Sequence, residues 1–392
     1  MFELRDRLRE LPCGRRLLEA ATGMQGVYLV GGAVRDLLLD RAPRELDVVV
    51  EGDVDALATR LAADGERVAH ERFGTTTVRD GDCHWDLAAA RGETYAHPGA
   101  LPDVFDAGIE QDLQRRDVTI NAIALDLAGG ELRAVPHARD DLREGRLRVL
   151  HDASFSDDPT RLWRVARYAA RLGFALEEHT AALAAQAVAG GALETVSGPR
   201  IGSELRLALA EPDAVAALQS AAVLGLVPWL EPDRALAERA LALLPAGEGR
   251  SDLVVLAAAL PVPHNDAQLA RLAFTAADRA IVRAAVEAHV LDNTARRPSE
   301  LARSLRGLPV EAVALSGAHG AEQPARCWLD DLRHVRLQIT GDDLRAAGIA
   351  EGPELGWRLQ AVLDMRLDGA LAAGRDAELQ AALQLRRGAS NA

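Results

Sequence analysis

Over the first 140 or so positions apolar residues come in short runs, cut by glycine and polar turns, a pattern that predicts mixed strands and helices. Gly26 to Val30 is a β-rich run, Gly31-Gly32 breaks it, and Ala33 to Asp40 has helical spacing. Val48 to Val50, preceded by Asp47, predict a buried strand, and Val54 to Ala63 an amphipathic helix. Thr75 to Val78 and Trp85 to Ala88 predict further strands, and Val118 to Leu125 is another apolar segment. Thr94 to Pro102, rich in proline and glycine, predicts a loop.

Beyond Asp157 the spacing is helical nearly to the end, with alanine and leucine dominant and Pro/Gly breaks near 198–199, 245–249, 261–263 and 297–298. The predicted class is α+β: a small mixed-sheet head followed by an all-α remainder.

Composition changes this picture little. The 392 residues are 48% apolar and 27% charged, ordinary for a globular chain of more than one domain. No apolar run approaches the ~20 residues of a membrane span, and the arginine- and acid-bearing start does not read as a signal peptide, so a cytoplasmic protein is expected. Cys13, Cys83 and Cys327 are odd in number and far apart, and are expected to be reduced thiols with no structural zinc. The net charge of −14 argues against nonspecific coating of nucleic acid, but local arrangement decides RNA binding. All 45 basic residues are arginine, the better side chain for phosphate forks and base edges.

Gly31-Gly32 follows a strand and opens a helix, where backbone N–H groups approach an anion; Arg35, about one turn on, could reach the same phosphates. Such a turn alone is common. Thirteen residues after Gly32 come Glu45 and Asp47, two apart and so on one face of a strand. Their repulsion is hard to explain as packing, and divalent cations bridging them would relieve it and suit phosphoryl transfer.

In this combination LVGGAVRDLLLDR, residues 29–41, resembles the first motif of the bacterial (class II) CCA-adding enzymes, the tRNA nucleotidyltransferases, and their poly(A) polymerase relatives. That family's acidic pair is usually Asp-x-Asp, against Glu45-Leu46-Asp47 in this chain, and the extra methylene shifts the first carboxylate by about 1.5 Å. RRDVTINA, residues 115–122, resembles its RRDxTxNA motif: Arg116 can neutralise triphosphate, while Asp117 and Asn121 offer hydrogen bonds to ribose hydroxyls, a contact that selects ribonucleotides. The resemblance implies a nucleotidyltransferase head over 1–140, a helical neck over 141–205, a body over 206–300 and a tail over 301–392. It also implies Mg²⁺ on Glu45 and Asp47 in a two-metal site (Mn²⁺ possible), CTP and ATP as nucleotides and the tRNA acceptor end as partner. No DNA, membrane or protein partner is expected.

FSDDPTRLWRVARYAARLGF, residues 155–174, opens with Asp157-Asp158-Pro159, a helix N-terminus. Arg161, Arg164, Arg167 and Arg171 then form one stripe beside an apolar stripe of Leu162, Val165, Ala169 and Leu172. Four arginines with no intervening acid suggest a polyanion on that face. The block resembles the family's Glu-Asp-x-x-Arg motif, with Asp157 for the usual glutamate. By that resemblance Asp158 and Arg161 read the incoming base, and Arg164 and Arg167 assist nucleotide binding. The chemistry agrees: cytosine and adenine both present an amino donor beside a ring acceptor, which Asp158 and Arg161 can pair, whereas uracil and guanine present the reverse order. Unpaired buried polar groups would then reject U and G.

VSGPR, residues 196–200, with Glu204-Leu205 resembles the next motif, read as structural; 91–104 resembles the family's flexible head loop and 339–356 a C-terminal segment. His151-Asp152 is isolated and no P-loop occurs. Rival readings are a CC-only, A-only or poly(A)-adding relative, a nucleotidyltransferase acting on a small molecule, and an inactive RNA-binding relative.

Overall fold

The computed structural model describes residues 2–62, 65–70, 74–262, 266–288 and 296–386. They divide into two compact units, Met1–Pro228 and Trp229–Ala392.

The first unit begins with two helices, α1 (Phe2–Glu10) and α2 (Pro12–Ala20). Then follow β1 (Val27–Val30), α3 (Gly32–Leu38), β2 (Leu46–Val50), α4 (Val54–Ala62), β3 (Glu66–His70), β4 (Thr75–Asp80) and β5 (Cys83–Ala89). A hairpin, β6 (Arg91–Thr94) and β7 (Asp103–Asp106), precedes α5 (Ile109–Gln114), β8 (Ile123–Asp126), β9 (Leu132–Ala134) and α6 (Ala138–Glu144). Seven strands make one mixed sheet in the order β3-β4-β5-β2-β1-β8-β9. β2 runs parallel to β5 and antiparallel to β1. All four β1 residues are buried, as expected for a central strand covered on both faces. Tyr28 and Val30 pack with Val49, Ala122 and Ala124 under Ile109 and Leu113 of α5.

The predicted loop 94–102 forms the turn of the β6–β7 hairpin, paired Arg91↔Asp106 through Thr94↔Asp103. Beyond it, α7 (Ser154–Asp157), α8 (Thr160–Leu172), α9 (Glu178–Ala189), α10 (Gly198–Leu209) and α11 (Ala214–Val223) complete the unit. Asp158 accepts from the Thr160 backbone N–H at 3.1 Å, so the acid-proline start caps α8 as expected.

One expectation fails. Cys13 and Cys83 are not thiols but a disulfide, while Cys327 stays free. Spacing of 70 residues hid the pair; packing of α2 on β5 brings the two Cα atoms to 5.3 Å. The same contact places Arg16 over the Trp85 ring at 5.1 Å, and Trp85 Nε1 donates to the Cys13 carbonyl at 3.1 Å. Closing a loop of this length is worth about 2–4 kcal/mol. Reduction is therefore expected to lower the thermal midpoint of the parent by several degrees and leave a Cys13→Ser, Cys83→Ser double variant unmoved. A non-reducing digest without the Cys13–Cys83 peptide would contradict the bond.

The second unit is helical from Arg234 to Gln384 among the described residues. Leu305, Val313, Ala314, Ala325 and Leu329 centre one core, and Ile339, Leu344, Val362 and Ala382 a smaller one. The 339–356 segment opens on a capping box, with Thr340 and Asp343 satisfying each other's backbone at the start of a helix over Gly341–Ala346. No described helix is long and apolar enough to cross a membrane.

Candidate active site

The turn after β1 works by making room. Gly31 sits at φ 67°, and a Cβ there would lie 2.8 Å from Arg116 Nη1. Its N–H is already donated to the Ile123 carbonyl at 3.0 Å, so Gly31 offers an anion no donor of its own. Gly32 is the first residue of α3. Arg35, predicted to reach phosphates, is only 3% exposed. It donates to Asp36 Oδ1 at 2.7 and 2.8 Å and to Asn121 Oδ1 at 2.8 Å, with its guanidinium 5.9 Å from the Tyr168 ring centre. In this arrangement it orients Asn121 instead of presenting a free fork.

β2 starts at Leu46, so Glu45 stands exposed just ahead of the strand and Asp47, half-buried, is its second residue. The parallel register sets Asp47 directly beside Asp86 of β5. Sequence reading missed Asp86. Its signal was local, an acid between buried Trp85 and Leu87, but its meaning depends on strand pairing. Thr77 Oγ1 donates to Asp86 Oδ1 at 2.7 Å, and His84 Nε2 lies 3.3 Å from the same oxygen. Burial, opposed by Arg116 and reinforced by Glu45 and Asp86, pushes the Asp47 carboxyl up to about 6. A cation would relieve that strain, and the donors are all oxygen, the set that suits Mg²⁺. As the side chains stand, no three His, Cys, Asp or Glu groups among the described residues are placed to hold a metal ion.

Asp112 of α5, fully buried, binds Arg115 at 2.6 Å and Arg116 at 2.9 Å of the RRD block, aiming Arg116 at the glycine turn. Asp117 was expected to meet a ribose. Instead it is buried, and both its oxygens are occupied: Oδ1 by the Val118 N–H and Asn121 Nδ2, Oδ2 by Tyr168 OH at 2.8 Å and Arg164 Nε at 3.0 Å. Burial alone would raise its carboxyl, but Arg164 and these hydrogen bonds hold it down to about 2. Asn121 is likewise engaged by Arg35 and Asp117.

The arginine stripe of α8 does not face an open polyanion surface. Its counter-charges come from elements that the local sequence could not show. Arg164 meets Asp117, Arg167 meets Glu204 and Glu211 at 3.1 Å each, and Arg171 Nε meets Glu211 at 2.8 Å. Arg161 is 3% exposed and donates to Ser154 Oγ and to the Arg115 carbonyl, both at 2.8 Å. It also lines a cleft of about 460 Å³ with Glu93, Tyr95, Phe105 and His151. Asp158 Oδ1 takes Thr160 and Arg200 Nη2, while Oδ2 has no hydrogen-bond partner among the described residues. Arg200, from the VSGPR motif, also donates to the Gly99 carbonyl at 2.7 Å, and Gly99 N–H donates to the Ser156 and Asp157 carbonyls. The hairpin turn is thus tied to the residue expected to read the base.

Residues 27–148 match the family described as the poly(A) polymerase head domain. Across 88% of its length the chain is 35% identical to the CC-adding tRNA nucleotidyltransferase of Deinococcus radiodurans, covering 85% of that protein. Across 92% of its length it is 36% identical to the A-adding tRNA nucleotidyltransferase of Geobacter sulfurreducens, but it spans only 45% of that longer protein. The Thermotoga maritima CCA-adding enzyme complexed with tRNA superposes with a TM-score of 0.72 at 28% identity, over 94% of this chain and 93% of that one.

Proposed function

The chain belongs to the tRNA nucleotidyltransferase family, and from that premise we propose that it adds CCA to the 3′ end of tRNA from CTP and ATP, releasing pyrophosphate. The observation that carries this reading is the meeting of Arg116 with the Gly31 turn next to Asp47 and Asp86. A cation for a triphosphate and acids for a metal stand together. The A- and CC-adding names of the relatives, and the tRNA in the Thermotoga complex, support the substrate class.

In this mechanism the RNA 3′-hydroxyl attacks the α-phosphate in line, and the bond to pyrophosphate breaks. Glu45 and Asp47, with Asp86 beside them, would hold Mg²⁺, which supplies Lewis-acid assistance to such a transfer when bound. Arg116 offsets triphosphate charge. Asp158 Oδ2 accepts from the base amino group and Arg161 donates to the ring nitrogen. Arg35, Asp117 and Asn121 form a hydrogen-bonded set that holds the RRD segment, while Arg164, half-exposed on Asp117, and Arg167 assist nucleotide binding. The reacting groups fall in the proposed head (1–140) and neck (141–205), leaving body (206–300) and tail (301–392) to hold the tRNA.

Addition of A alone or of CC alone is a second reading, favoured by the names of the Geobacter and Deinococcus relatives. Transcripts ending before CCA, after C and after CC, each given one NTP at a time, separate the two. CTP incorporation on the first two and ATP incorporation on the third supports CCA addition. ATP incorporation on the third transcript alone, or CTP incorporation on the first two alone, supports a narrower enzyme. An inert protein across Mg²⁺ and Mn²⁺ sinks both.

Glu45 precedes the strand and is exposed, so its side chain has freedom to adjust. Glu45→Asp is accordingly expected to keep kcat within about threefold, since a carboxylate remains within reach. Glu45→Ala activity equal to the parent's would remove this residue from the metal set.

A further inference from the structure

One cleft in the first unit is not used by the chemistry above. The loop 39–45, leading from α3 into β2, faces the end of α8 and the junction of α10 with α11. The cleft between them has a volume of about 220 Å³ and is lined by Arg41, Arg44, Arg171, Asp36, Glu211 and Asp213. Its acids are already committed. Asp36 accepts from Arg35 at 2.7 and 2.8 Å, Glu211 from Arg167 and Arg171, and Asp213 caps α11 through the Ala216 N–H at 2.8 Å. Of the two loop cations, one is uncommitted and the other is held only at long range. Arg41 is exposed and has no carboxylate partner among the described residues. Arg44, 53% exposed, reaches Glu211 only at 4.0 Å.

We propose that this cleft binds a phosphodiester of the acceptor RNA strand just behind its 3′ end, with Arg41 and Arg44 as positioning residues. The inference rests on the nucleotidyltransferase reading and adds the path of the RNA to it. In-line displacement requires the attacking hydroxyl opposite the leaving pyrophosphate. Gly31 and Arg116 mark the triphosphate side, so the RNA must reach Asp47 from another direction. Arg44 adjoins Glu45 in the chain, and Arg41 lies four residues before Glu45, within roughly 14 Å of its Cα at full extension. That span reaches the phosphodiester next to the 3′ end of a single strand. Arginine forks suit a phosphodiester, and uncommitted ones gain most from it. In a chain of net charge −14, such a pair beside the carboxylates also offsets the repulsion a polyanion would otherwise meet.

The test measures binding of an acceptor RNA ending in a 3′-deoxynucleotide, as a function of salt, for the parent, Arg41→Gln, Arg44→Gln and Arg44→Lys. Each glutamine variant is expected to raise the RNA Kd about tenfold and to reduce the slope of log K against log salt by ~0.7, the value for one phosphate on a single strand. Arg44→Lys should keep most of the slope, and the KM for CTP should not move in any variant. Unchanged RNA affinity and slope would overturn the assignment, as would a raised KM for CTP with RNA binding intact. Arg41→Gln gives up no ion pair, so it carries the test even where Arg44→Gln fails to fold. A parent that extends no RNA defeats the enzyme reading; a parent that extends RNA, with slopes unchanged in the variants, defeats only the cleft.

Discussion

Asp47→Ala is expected to lower nucleotide addition by about three orders of magnitude or more while leaving the Kd for tRNA within about twofold. Lewis-acid assistance to phosphoryl transfer is worth several kcal/mol, and each ~1.4 kcal/mol is a factor of ten. Asp47 sits half-buried between Glu45, Asp86 and Arg116, and no RNA-facing cation depends on it. Loss of the carboxylate removes the centre of the acid group without disturbing the strand, since Leu46 and Val48 carry the packing. The check is single-turnover addition beside a binding isotherm on the same preparation. Equal loss of binding and activity would make the acids structural.

Asp158→Ala and Arg161→Ala are expected to weaken the preference for C and A over U and G by roughly ten- to hundredfold each, the worth of one hydrogen bond to a charged group. The double variant should lose less than the sum, because both act on one base. Arg161 also holds Ser154 and the Arg115 carbonyl, so its replacement should lower the overall rate more than that of Asp158. Measuring kcat/KM for all four NTPs on tRNA ending before CCA and ending in CC decides the matter. Slower addition with the parental preference intact would show that the pair only braces the helix.

The parts of this chain legible in its sequence are those set by short-range pattern. β1, β2, β4 and β5 fall where the alternation placed them, within a few residues, and the capped start of α8 follows from Asp158-Pro159. The motif residues Gly31, Arg116 and Asp47 do come together in the fold. What stayed hidden required knowledge of which distant elements touch. Asp86 acquires meaning only from the β2–β5 register. The disulfide needs α2 against β5. The α8 arginines looked free because Asp117, Glu204 and Glu211 lie 37–47 residues away along the chain. The β6–β7 hairpin escaped notice because its second strand is exposed throughout and lacks a buried stripe.

The way Asp117 is held bears on how such proteins can be recombined. A head excised at residue 140 would keep this buried carboxylate but lose Tyr168 and Arg164, which lie on α8. The cut would remove its charged partner and a phenol hydrogen bond together, and open the site it fills to water. The Arg115 carbonyl would lose Arg161 in the same cut. Chimeras that exchange heads among relatives should therefore fail when joined at that point and succeed when the donor contributes everything through α8, because the unit of inheritance is the head together with the helix that neutralises it.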